Sequence, residues 1–168
     1  SDYALRSNTT ASYNTAIGRS ALQANTTGTN NTAVGFSALT SNTTANDNTA
    51  VGRCSLKTNT TGTFNTAGGQ NSLFNNSTAN DNTALGHQTL FTNATGANNT
   101  AIGKNALYYN TASNNTAVGN LAMTNTSTGY QNTAMGQGAL TNNTSANHNT
   151  AIGANTLYTN TTGYANTG

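Results

Sequence analysis

Proline, tryptophan and glutamate are absent from this chain of 168 residues, and cysteine occurs once. With one cysteine no internal disulfide can form, and Cys54 reads as a small buried filler. The lack of proline leaves a backbone donor at every position, which a continuous hydrogen-bonded ladder needs. Charged residues are 5% of the chain and the formal net charge is +2. Arg6, Arg19, Arg53, Lys57 and Lys104 are too few and too scattered to form a footprint for nucleic acid or an anionic membrane. No apolar run approaches about 18 residues, so no segment reads as a membrane-inserted helix. Leu, Ile, Val and Phe together number 21, low enough for disorder to be the default expectation. Disordered segments, however, usually carry a high net charge, and this chain does not.

What the chain has in quantity is Asn (32) and Thr (36), and they are periodic. Asn-Thr-Ala begins at Asn14, Asn31, Asn48, Asn65, Asn82, Asn99, Asn115, Asn132 and Asn149, and Asn166 opens a variant copy, Asn-Thr-Gly. Every step is 17 residues except the 16 between Asn99 and Asn115. A fixed short period marks a stack of structural units, each buried against its neighbours. Seventeen residues are too few for a helical hairpin repeat, whereas Thr-rich and β-branched stretches broken by Gly and Asn suit short strands and tight turns. The fold class expected is all-β. It is a parallel β-solenoid of about ten 17-residue coils, with residues 1–168 as a single repetitive domain.

Two apolar columns run through the repeat. One holds Ile17, Val34, Val51, Leu85, Ile102, Val118, Met135 and Ile152, with Gly68 as its single break. The other holds Leu22, Leu39, Leu56, Leu90, Leu107, Met123, Leu140 and Leu157, together with Leu5 and Leu73. Both are expected to form the core ladder. Strand alternation places Thr15 and Ile17 on one face and Asn14, Ala16 and Gly18 on the other. If the aliphatic column points inward, Thr15 goes with it and Ala16 joins a smooth outer strip.

A longer period overlies the first. The residue after the Asn-Thr-Thr turn alternates, as in Ala11, Gly28, Ala45, Gly62, Ala79 and Gly96, so the full unit is two coils, or 34 residues. Glycine's tolerance of positive φ predicts different turns in alternate coils. Ser1 and Gly168 fall nearly in phase, so the chain reads as a segment of a longer fibre or a unit that stacks head to tail.

The words Asn-Thr-Ala-Ile-Gly, Asn-Thr-Ala-Val-Gly and Ser-Ala-Leu resemble the head repeats of YadA-type trimeric autotransporter adhesins, and also repeats of phage tail fibres. In the adhesin family a similar word builds a parallel β-roll, three of which pack into a trimer. The resemblance implies a fibrous protein at the cell surface, outside the cell, or on a virion tail. Its expected partners are further copies of itself, as a trimer or a head-to-tail filament, and a surface glycan or host receptor.

Little in the chain points to catalysis or to a cofactor. Asp47, Asp81 and His148 share one repeat phase, where solvated turn residues are expected. No Cys, His or carboxylate cluster has metal-ligand spacing. Asn8, Asn25, Asn42, Asn59, Asn76, Asn93, Asn143 and Asn160 each open an Asn-x-Ser/Thr sequon at one phase, a row suited to carrying glycans if displayed. Tyr108, Tyr109, Tyr130, Tyr158 and Tyr164 gather in the second half, where they could stack on sugars or on sister chains. The function expected is therefore not enzymatic: a structural or adhesive fibre, self-associating laterally or end to end. The alternative is an ice-binding solenoid, which would need an outward Thr array.

Overall fold

The computed structural model describes residues 2–168, so the phase of Ser1 lies outside the described residues. The chain is a parallel β-solenoid. Its strands are β1 (Thr15–Ile17), β2 (Thr32–Val34), β3 (Thr49–Val51), β4 (Thr66–Gly68), β5 (Thr83–Leu85), β6 (Thr100–Ile102), β7 (Thr116–Val118), β8 (Thr133–Met135) and β9 (Thr150–Ile152). They form one sheet in chain order, each coil contributing one strand. The register is strict: Thr pairs with Thr and Ala with Ala from β1 to β9, even across the 16-residue step between β6 and β7. A bridge from Thr150 to Thr167 carries the ladder one coil further. At about 4.8 Å per strand, nine strands span roughly 38 Å of rod axis.

The return half of each coil is not a second strand but a chain of turns with recurring left-handed residues. In the second coil Ser37 (φ 54°) and Leu39 (φ 49°) are left-handed, and the following coils repeat this at Cys54 and Leu56, then at Asn71 and Leu73. Such a conformation costs a non-glycine residue roughly 1–2 kcal/mol. Here it aims amides along the axis. Ser37 N donates to Arg19 O of the preceding coil (2.9 Å), while Leu39 N donates to Ser55 O of the next (3.1 Å). The turns thereby form a second axial ladder opposite the sheet.

Gly35 and its equivalents join strand to turn and admit no side chain. Gly35 has φ +136°, and a Cβ there would lie 2.5 Å from Gly52 O. Glycine meets both demands, the backbone angle and the close approach.

The core is narrow. Ala33, Ala50, Ala84 and Ala101 from the sheet face Leu39, Leu56, Leu90 and Leu107 from the turns, all fully buried. The sheet residues thus point opposite to the direction expected. Ala is inside, and the column Ile17, Val34, Val51, Leu85, Ile102, Val118, Met135 and Ile152 lies on the outer face with the strand threonines. Val51 is 46% exposed and Met135 45%. Parity was sound; the sense of the face was reversed. The reason is the asparagine. Asn31 and Asn48 are buried because their amides bridge across the coil, and alternation then carries Ala inward and Thr and the aliphatic outward. In the other column Leu22, Leu39, Leu56, Leu73, Leu90, Leu107, Met123 and Leu140 are fully buried and Leu157 is partly so.

Candidate functional surface

Two asparagine ladders hold the interior. The first runs through the residues that begin each Asn-Thr-Ala. Asn31 Oδ1 accepts from the backbone N–H of Asn48 in the next coil (3.0 Å), and Asn31 Nδ2 donates to Ala45 O (2.8 Å). The second runs through the sequon asparagines. Asn42 Nδ2 donates to Asn25 Oδ1 (2.9 Å) and to Ala45 O (3.0 Å). Ala45 O therefore accepts from both ladders, and Gly62 O does the same for Asn48 (2.8 Å) and Asn59 (2.9 Å). Most coils satisfy their buried amides through their neighbours, as in the Asn ladders of stacked strands, the Oδ1 atoms of Asn93 and Asn105 being the exceptions.

This arrangement corrects the expectation of a glycan row. Asn25, Asn42, Asn59, Asn76, Asn93 and Asn143 are fully buried, and Asn8 and Asn160 are half-buried. Nδ2 is the atom that would carry a glycan. At Asn42, Asn59, Asn76 and Asn93 both of its protons are already donated within the rod. The folded chain does not present these sites.

The Ala/Gly alternation also has a cause other than the one expected. Gly28, Gly62, Gly96 and Gly129 do not have positive φ; a Cβ on Gly28 would meet Ala45 O at 2.3 Å, and one on Gly62 would meet Ala79 O at 2.3 Å. Close approach of the next coil, not a left-handed turn, requires glycine. The following residue alternates with it. Asn46 Oδ1 accepts from Thr29 N (2.7 Å), Asn80 Oδ1 from Thr63 N (2.8 Å) and Asn147 Oδ1 from Tyr130 N (2.9 Å). A glycine coil is thus clasped by the alanine coil that follows it, which gives the 34-residue unit a physical basis.

Outside, three surfaces differ in chemistry. The sheet face is two columns wide, Thr beside an aliphatic residue. Beside the leucine turns, Phe74, Phe91 and Tyr108 stack with centroids 5.2 and 5.0 Å apart, Tyr109 sits edge-on to Tyr108, and the Lys57 ammonium caps Phe74 at 5.2 Å. These rings cover one another's faces, whereas Tyr109, Tyr130, Tyr158 and Tyr164 are exposed. The third surface is the turn at Asp47, Asp81 and His148, all exposed, with His148 edge-on to Tyr130.

Cys54 is buried and free. Among the described residues there is no pocket, and no group of three or more His, Cys, Asp or Glu stands close enough to hold a metal ion. Among the described residues no helix is long and apolar enough to cross a membrane. No family model, curated protein or solved structure matches this chain.

Proposed function

We propose that the chain is a stiff structural or adhesive element of an extracellular fibre, working through length and repeated surface and extended by further coils on the same axis. The carrying observation is that every interior coil meets its neighbours above and below through strand register, the leucine-turn ladder and the first asparagine ladder, with the sequon ladder added from Asn25 to Asn93. A load along the axis is shared by all of them, and a second copy can offer the same donors and acceptors as the next coil does. The cell-surface or virion setting rests on the resemblance of Asn-Thr-Ala-Ile-Gly and Ser-Ala-Leu to adhesin and tail-fibre repeats. Exposed rings such as Tyr109 and Tyr130 offer contacts for a surface glycan or a receptor. Imaging by electron microscopy with mass measurement tests the proposal. Rods longer than one chain's roughly 48 Å, from about ten coils at the strand spacing, are expected. A discrete 17.1 kDa monomer would refute axial association, and compact three-chain particles one rod long would favour a lateral trimer instead.

A further inference from the structure

We infer that the outer face of the sheet is a binding surface for crystalline water, the surface of ice. Its occupant has to suit four observations. First, the strand threonines have idle hydroxyls. Among the described residues Thr32, Thr49 and Thr100, like the other threonines that open a strand, make no side-chain hydrogen bond. Thr26, Thr43 and Thr60 on the turn each donate to a carbonyl of the next coil. The sheet-face hydroxyls are left for water. Second, the neighbouring column is aliphatic and substantially exposed, and the strands carry no charge. Methyl and hydroxyl groups side by side order first-shell water through apolar hydration and direct bonding together. A liquid-like ligand gains nothing from such regularity.

Third, the array is a lattice. Threonines repeat at about 4.8 Å along the axis, each with an aliphatic neighbour about 6.7 Å across the strand except at Gly68, fixed by register over nine strands. A periodic ligand is the kind that can engage every row of such a regular column. The one missing side chain is covered. Gly68 leaves a gap into which Leu85 leans, its Cδ2 2.8 Å from where a Gly68 Cβ would stand. Fourth, the strip is too small to anchor a second copy. It measures in plan about 38 by 7 Å, or roughly 270 Å², against about 800 Å² of accessible surface buried per partner in a stable interface.

The test is thermal hysteresis and ice-crystal shaping by the full chain. Two single substitutions at exposed positions accompany it: Thr49→Lys on the sheet face and Thr44→Lys on the turn. Both side chains are exposed, so both variants should fold, as circular dichroism melting will verify. The expected result is hysteresis with faceted crystals for the parent and for Thr44→Lys, and loss of both for Thr49→Lys. Absence of hysteresis in the parent, or its retention in Thr49→Lys, would overturn the inference. So would a lateral dimer in solution that Thr49→Lys dissociates, because the face would then belong to a second copy. The axial-fibre reading is scored by particle length and is untouched by any of these outcomes.

Discussion

The sequon ladder is continuous from Asn25 to Asn93 and broken from Asn93 to Asn143, while the sheet and the other ladder run through both regions. In the first region each Nδ2 reaches the Oδ1 of the preceding coil, at 2.9 Å for Asn42 and Asn76 and 3.0 Å for Asn59. In the second, the turn after Asn110 is one residue short. Asn110 Nδ2 bonds Ala112 O only two residues away (2.7 Å), and Asn93 Oδ1 is buried without a partner. The next slot is filled by Thr126, whose hydroxyl is likewise buried and unpartnered. The ladder resumes when Asn160 Nδ2 reaches Asn143 Oδ1 (3.2 Å). Meanwhile Asn115 N still donates to Asn99 Oδ1 (2.9 Å) and Asn115 Nδ2 to Gly129 O (2.7 Å). Strand register is therefore held by the sheet and the first ladder, and the sequon ladder adds to it locally. The rod has a soft stretch at a known place.

Substitutions can widen or erase that difference. Asn59→Ala should have the largest effect. It strands Asn42 Oδ1, takes a partner from Asn76 and opens a void, for a loss of about 3–5 kcal/mol, read as a lower midpoint in thermal or denaturant melting. Asn110→Ala should cost less, about 2–3 kcal/mol: it opens a void and takes an acceptor from Asn115 Nδ2, but its own Nδ2 makes no bond to Asn93 that could be lost. Equal losses at the two sites would erase the distinction between the regions. Thr126→Asn should act in the opposite direction and stabilise by about 1 kcal/mol, since an amide there can reach carbonyls that the hydroxyl does not. The smallest effect is expected at the turn. Thr44→Ala removes a sequon on an exposed side chain and should change stability by less than about 0.5 kcal/mol. A larger shift would mean that the turn threonines contribute to the rod.

The period, the fold and the leucine column were legible because spacing and side-chain type both pointed to them. The sense of the sheet face was not. An aliphatic column reads as core, which places Ile17 and Val51 inward, yet the asparagines that open Asn-Thr-Ala are bridged inside and the small Ala takes the interior place. A signal was present: an asparagine at every coil in one phase is as regular as the leucines, and a polar residue that regular is a ladder. The left-handed leucines had no signal, because leucine has no preference for that conformation and only axial bonding compels it. The 16-residue step was visible, but its consequence was not. Shortening that turn orphans Asn93 Oδ1 through the stacking of the coils, which residue spacing alone does not carry.

Hydrogen exchange of the asparagine side-chain amides, resolved by NMR, tests the inward ladders most directly. The account predicts strong protection of the Nδ2 protons of Asn42, Asn59 and Asn76, and weaker protection at Asn110. Exchange of the Asn59 amide at the rate of an open chain would contradict it.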